Sequence, residues 1–496
     1  MRRTTRSLWI GAVLLACLTA CGTTVPNAAL SYGSDGLSGP QASPGATAPG
    51  QSDVSAPTVG SGPIASGGGS VPVPGNAGGA STVGTGPSVG GSATTATLPV
   101  QVGFLVTKCS NCSLLGASYV APAHSEQQVL QALVNDVNSR GGLLGHKIEP
   151  VWGVEDTASS DVSTMMQSIC STFTQDHHVV AVLGAGFSFQ DLLARCLAKA
   201  GVPTFDATRS TGVPDDQDLA TYAGYVITNE PSANAYALSA LTSGVADGWL
   251  TPTTKLGVLD FDCPESARVW QRTTQPYLNA LGLKGVVHST LSCPKGAADL
   301  GSAAQGVQSA ELKMHADGVD TVAITDIPLV VFAEDAESQQ WHPHYLASEG
   351  AASYQTYLPA DQVKNIHAAG WEPSYDLDSQ HQPPLTPAEQ TCLAAIKRGG
   401  LTNQVVSERV AYFSLCGSVL LYTRVVAAAQ SLATPDVLRA TNAIGRAFVN
   451  PMLLGGQSLL AQGKHAAAVQ YRSILLDASC NCFLYHGPAR PLPTTS

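Results

Sequence analysis

The residues of this 496-residue chain whose types and spacing could do chemistry are mostly cysteines. Of its 12 cysteines, all but Cys17 and Cys21 fall at or beyond residue 109. Two sets are closely spaced, Cys109-Ser-Asn-Cys112 and Cys480-Asn-Cys482. A Cys-x-x-Cys step is a common zinc half-site and, after a strand, a redox motif. Cys-Asn-Cys is tighter than a typical zinc half-site, so these four are read as disulfide cysteines with pairing left open. Other motifs fall short. Gly186-Phe187-Ser188-Phe189-Gln190 lacks the closing glycine of a nucleophile elbow. Gly184-Ala185-Gly186 lacks the third glycine of a dinucleotide fingerprint, and no phosphate-binding loop occurs. His342-Pro343-His344 and His177-His178 read as loop residues. No catalytic residue, metal site or cofactor is expected.

The N-terminus places the chain. Arg2, Arg3 and Arg6 precede an apolar stretch from Leu8 to Leu18, too short to span a bilayer but suited to a secretory leader. It ends in Leu18-Thr19-Ala20-Cys21-Gly22, which looks like a bacterial lipobox, with the Cys21 thiol as lipidation site. Residues 1–21 are thus read as leader and lipobox. Residues 22–97 are rich in Gly, Ser, Thr, Pro and Ala and bury too little apolar surface to fold. They read as a tether reaching about 50 Å. The expected location is the outer face of the cell membrane, held there by lipid. No later apolar run reads as long and clean enough to cross a membrane. A net charge of −11 with no basic cluster beyond the leader excludes a general nucleic-acid binder.

These residues need a scaffold, and 44% hydrophobic composition permits one. Val102–Val106, Ile148–Val154, Val179–Leu183 and Val202–Phe205 read as short buried strands. Between them lie helical stripes: Val129, Leu130, Leu133, Val134 and Val137, then Val162, Met165, Met166, Ile169, Cys170 and Phe173, then Leu192–Leu197. Ser125 and Gln128 offer a capping box, and Gly141-Gly142 a stop. The alternation resumes at Leu256–Phe261, Val286–Leu291 and Val319–Thr325, with Ser473–Leu476 as a late strand. Strands alternating with helices require parallel sheets covered on both faces, and the break around Tyr225–Leu250 divides them into two lobes. In an oxidising compartment the economical disulfides join Cys263 to Cys293, after the ends of successive strands, Cys170 to Cys196, and Cys392 to Cys416.

Asn135-Asp136-Val137-Asn138-Ser139-Arg140-Gly141-Gly142-Leu143-Leu144-Gly145-His146-Lys147-Ile148 resembles the glycine-rich region after the first helix of type I periplasmic solute-binding proteins. These include the branched-chain amino-acid (leucine) receptors of ABC transporters. Val179–Gly184 and Ala316-Asp317-Gly318-Val319-Asp320-Thr321-Val322 are similar to further motifs of that family, in the same order. The resemblance implies an α/β fold of two doubly wound parallel-sheet lobes with a ligand cleft between them. Lobe 1 would take 98–227 plus part of 350–445, and lobe 2 would take 228–349 plus about 446–488.

The resemblance also implies a binding protein for a small ligand, an amino acid by its family, with an ABC permease as partner. Ser188 and Thr208 match the hydroxyls that hold the ligand carboxylate, and Glu349 matches the acid that holds its ammonium. Tyr225 is placed at the cleft by position. Cys263-Pro264-Glu265 stands where the family offers a tyrosine, so side-chain selectivity differs. An exported sensing or cell-surface interaction module on the same fold is the alternative.

Overall fold

A computed structural model describes residues 97–108, 122–184, 186, 190–207, 212–293, 299–324, 327–351, 355 and 358–494. The leader, Cys21, the tether up to Ala96, Cys109, Cys112, Ser188 and Thr208 lie outside these residues.

The apolar runs become strands. Five build a wholly parallel sheet: β1 (Val100–Lys108), β2 (Ile148–Asp156), β3 (Val182–Gly184), β4 (Thr204–Asp206) and β5 (Val226–Thr228), in the order β2-β1-β3-β4-β5. Seven build a second sheet: β6 (Leu256–Phe261), β7 (Val287–Leu291), β8 (Thr321–Ala323), β9 (His344–Ser348), β10 (Ile366–Gly370), β11 (Gln470–Asp477) and β12 (Cys482–Pro491). Its order is β12-β11-β10-β9-β8-β6-β7, parallel from β7 to β10 and antiparallel across β11 and β12.

The helices are α1 (Glu126–Ser139), α2 (Val162–Ser171), α3 (Asp191–Lys199), α4 (Asp216–Thr221), α5 (Ala233–Ala246), α6 (Pro264–Val269) and α7 (Gln275–Ala280). They continue with α8 (Leu300–Ala316), α9 (Ile327–Ser338), α10 (Ala360–Val363), α11 (Pro373–Asp376), α12 (Pro387–Arg398), α13 (Arg409–Ala429) and α14 (Thr434–Ala443). Helix α1 starts at the reciprocal capping box of Ser125 and Gln128. Helix α12 has one too, between Thr386 and Glu389.

Each sheet is covered on both faces, as parallel strands require. Val102, Phe104, Leu183 and Phe205 pack with α1, α12 and α13. On the other face Val151, Met166, Ile169 and Phe173 pack with Leu193 and Leu197 of α3. In the second sheet Tyr345, Val322 and Ile366 meet Met314 of α8 and Phe332 of α9, while Leu346 and Val258 meet Leu241 of α5 and Leu278 of α7. The fold is therefore α/β with two sheet-centred lobes.

Helix α13 corrects the reading that no later run could span a membrane. With the preceding turn, Val406–Ala429 is long and apolar enough by length and composition. Its most apolar window is, however, 67% buried inside the protein. Tyr412, Phe413, Val419, Tyr422 and Val426 are part of the first core, so its all-round apolarity reflects a helix enclosed by protein.

Disulfides join Cys170 to Cys196, Cys263 to Cys293, Cys392 to Cys416, and Cys480 to Cys482. The first three close spans of 26, 30 and 24 residues. Loops of that size contribute roughly 3–4 kcal/mol each by restricting the unfolded chain.

Candidate ligand site

In doubly wound sheets ligands bind outside the carboxyl ends of strands, where the strand order reverses. Strand β5 ends at Thr228 and runs through Asn229 and Glu230 toward α5 and the second sheet. Strand β9 ends at Ser348 and delivers Glu349, and β10 ends at Gly370 and delivers Trp371 and Glu372. Glu230, Glu349 and Glu372 thus come from three strand ends in two sheets. One carboxylate oxygen of each lies within 4.8 Å of those of the other two. All three side chains are buried, at 0%, 2% and 0% exposure. Trp371 Nε1 donates to Glu230 Oε2 at 2.7 Å, and its ring meets that of Tyr236 edge-on. Burying carboxylates this close together is costly unless cations or strong donors face them.

A fourth acid positions two of the three. Asp376 accepts from the Gly350 N–H and the Glu372 N–H, each at 2.9 Å, and from the Tyr485 hydroxyl at 2.6 Å. It therefore ties together the turns after β9 and β10. Burial raises its pKa to about 6, against the lowering effect of those three donors. Gly370 is required for this arrangement, since a Cβ there would stand 2.2 Å from Asp376 Oδ2.

On the first sheet, the strand ends leading to Ser188 and Thr208 are held by Ser418 of α13. Its hydroxyl donates to Phe205 O at 2.5 Å and accepts from the Gly184 N–H at 3.1 Å. Gly184 has φ +109°, and a Cβ would stand 2.4 Å from Leu105 O, so only glycine fits at this turn. Asn229 donates to Asp206 O and accepts from Asn450 Nδ2 at 2.9 Å, which fixes the chain just before Glu230.

Tyr225 is not part of this group. It stands at the opposite end of β5 from Glu230, packed in a small cluster with Ala194, Leu219, Tyr222, Val226 and Ala466. The reason is direction: residues before a parallel strand lie at the far edge of the sheet from those after it. Sequence reasoning missed Glu230, Glu372 and Asp376. The signal for the first two was their place, one or two residues past short apolar runs and just before Pro231 and Pro373.

Arg268 of α6, which follows β6 of the second sheet, reaches α4 beside the first. Its Nε is 2.6 Å from Asp215 Oδ2, and its Nη2 is 2.8 Å from Asp218 Oδ2. Burial and the neighbouring Asp215 raise the Asp218 pKa to about 6, with Arg268 pulling it back down.

A family model described as periplasmic binding protein matches residues 99–471. The chain belongs to the periplasmic binding protein family. Solved structures agree on the fold. A branched-chain amino-acid ABC transporter protein from Thermus thermophilus with bound valine is 15% identical, with a TM-score of 0.54, covering 79% of this chain and 97% of its own. A solute-binding protein from R. palustris in complex with 4-hydroxybenzoate is 12% identical (TM-score 0.55; 80% and 98% covered). A fatty acid ABC transporter substrate-binding protein from Thermomonospora curvata is 16% identical (TM-score 0.53; 80% and 92% covered). A search of curated protein sequences returns no match. This periplasmic binding protein shares its fold with these ABC-transporter binding proteins.

Proposed function

We propose that this periplasmic binding protein is a lipid-anchored receptor, tethered through Cys21, that binds an amino acid or similar amine-bearing ligand and presents it to an ABC permease. The observation that carries the reading is the buried triad of Glu230, Glu349 and Glu372 at converging strand ends. A ligand ammonium among three carboxylates gains charge-assisted hydrogen bonds in a water-poor site. Glu349 is its main acceptor in this reading. Ser188 and Thr208, in the segments after β3 and β4, hold the ligand carboxylate. Because one end of the ligand engages segments after the first sheet and the other engages the second, binding favours closure of the two lobes. Lobe 1 in this reading is the five-stranded sheet with α1–α4 and α12–α14. Lobe 2 is the seven-stranded sheet with α5–α11.

Thermal shift against amino acids, 4-hydroxybenzoate and fatty acids tests this directly. A ligand at 100 times its Kd stabilises by about 2.7 kcal/mol. An amino acid is the expected hit. Glu349→Gln is expected to weaken the amino acid by about 10–100-fold, and its deaminated analogue far less. Equal losses for both would remove Glu349 from the amine site, and a hit only among acids lacking an amine would overturn the reading. Globomycin-sensitive processing and loss of membrane retention in Cys21→Ala test the anchor.

A further inference from the structure

The β11–β12 hairpin turns through Ala478-Ser479-Cys480-Asn481, with Asp477 paired to Cys482. Because His367 pairs with Leu475 and Gly370 with Arg472, this tip lies past the N-terminal end of β10. Glu372 follows the other end. The tip is therefore a second place in the molecule, apart from the carboxylate triad.

Three features distinguish it. Among the described residues, the Cys480–Cys482 bridge encloses one residue, whereas the other disulfides span 24 to 30. By loop entropy it restrains the unfolded chain least, so the fold gains least from it. Cys480 is exposed, so an incoming thiol can reach its sulfur, while Cys170, Cys392 and Cys416 are buried. Finally, the turn after α11 brings His381 to the hairpin, and a ring nitrogen and both sulfurs lie within 4.8 Å of one another. His381 Nδ1 stands 2.7 Å from Asp378 Oδ2. A carboxylate in that position orients a ligating imidazole and leaves Nε2 to face the ion.

We propose that the hairpin tip is a redox-gated Cu(I) site, formed by the Cys480 and Cys482 thiolates with His381 Nε2. Two soft sulfurs and one imidazole suit a thiophilic ion, and three donors satisfy Cu(I) fully, whereas a structural zinc site takes four protein ligands. The bridge opens by exchange with a dithiol reductant. One reductant thiolate attacks Cys480 Sγ and the S–S electron pair leaves on Cys482 Sγ, which takes a proton. The second reductant thiol then attacks its partner sulfur in the mixed disulfide and releases Cys480 as a thiol. The protein disulfide has gained two electrons and two protons, and the reductant has become a disulfide. Cu(I) displaces both thiol protons with no further electron transfer.

The test uses the full chain carrying Cys109→Ser and Cys112→Ser, so that the hairpin is the accessible pair. Brief dithiol treatment followed by alkylation and mass spectrometry is expected to label Cys480 and Cys482 before any other cysteine. After removal of the dithiol, anaerobic titration with Cu(I) against a chromophoric Cu(I) chelator is expected to give one equivalent bound, and none in the oxidised protein. His381→Gln should weaken binding by about tenfold or more, and Asp378→Asn by a similar or smaller factor. Undiminished affinity in His381→Gln would reduce the site to a bare dithiol and overturn the proposal. One equivalent retained in Cys480→Ser/Cys482→Ser, or displacement of Cu(I) by stoichiometric Zn(II), would overturn it as well.

Discussion

The strands of the five-stranded sheet are held by apolar packing, and the charged groups of that lobe lie off the strands: the half-exposed Arg140 and Arg398 flank the buried Asp136 of α1, and Glu408 faces His124 just before α1. The seven-stranded sheet carries a half-buried ionic group on its own strands. Asp247, just after α5, accepts from Arg490 Nη2 at 2.6 Å, from the Ser473 hydroxyl, and faces His367 Nε2 at 3.0 Å. His367 is fully buried on β10, and Ser473 and Arg490 come from β11 and β12. The parallel strands of the first sheet are joined by apolar contacts and by neutral hydrogen bonds at their ends, whereas here an antiparallel pair is tied to the last parallel strand by one carboxylate. The second lobe should therefore be the more sensitive to single polar substitutions and to pH.

The largest expected effect is at Asp247. Its loss removes the acceptor of Arg490 and Ser473 and leaves the fully buried His367 Nε2 without that partner, while Arg490, one-quarter exposed, keeps contact with water. Asp247→Ala should cost roughly 2–3 kcal/mol in urea denaturation, whereas Arg398→Ala should cost at most about 1 kcal/mol, since the arginine is exposed and Asp136 keeps Arg140. Similar losses at the two positions would break the comparison. The pH dependence has a definite sign. Burial works to raise the Asp247 pKa, but the bonds from Arg490, Ser473 and His367 together hold it well below the ordinary 3.8. Its stabilisation is present above pH 4 and is lost as pH falls further.

Asp376 titrates in the opposite sense. Its folded pKa of about 6 lies above the ordinary 3.8, so the folded state binds the proton more tightly. Its contribution is full below about pH 4 and is lost as pH rises to about 6, by about 1–3 kcal/mol. Asp376→Asn should flatten stability over that window, read from urea midpoints at pH 4, 5 and 6. An unchanged slope would mean that Asp376 does not titrate there. The same variant should weaken ligand binding, since the amide keeps only one oxygen that can accept and the turns carrying Glu349 and Glu372 use both.

Much of the fold is legible in the sequence because it is written locally. Apolar runs such as Val102–Val106, the Met166–Ile169–Phe173 stripe and the Ser125–Gln128 cap each depend on residues a few positions apart. Strand β12 is obscured because Gly487 and Pro488 interrupt its pattern, which an edge strand tolerates. Helix α13 gives no amphipathic signal because protein surrounds it. Each glutamate of the acidic triad follows a short apolar run, but that the three meet is not written locally, since Glu230 and Glu372 are 142 positions apart and are joined only by the order of strands. His381 and Cys480 are likewise 99 positions apart and meet only in the fold.

Ser418 offers the matching test on the first sheet. Its hydroxyl joins the ends of β3 and β4, so Ser418→Ala leaves the Gly184 N–H and Phe205 O without that partner. The expected cost is about 1–2 kcal/mol in urea denaturation. A loss as large as that of Asp247→Ala would mean that the first lobe also depends on one polar centre.

The smallest effect is at the contact between the two lobes. Arg268, one-quarter exposed, bridges to Asp215 and Asp218, so this pairing exists only while α6 and α4 stay close. Arg268→Gln removes the attraction and leaves the two neighbouring aspartates to repel one another. Stability should change by at most about 1 kcal/mol, because water replaces the guanidinium once the lobes part. The lobe equilibrium should move further than the stability does. A protein whose closed form is less populated binds ligand more weakly by that fraction, here a few-fold. Small-angle scattering of the ligand-free variant should give a larger radius of gyration than the wild type at pH 7.5. In the wild type, lowering the pH through about 6 protonates Asp218 and should move its radius part of the way toward the variant's. A variant whose radius and ligand affinity both match the wild type would show that this bridge follows closure without favouring it.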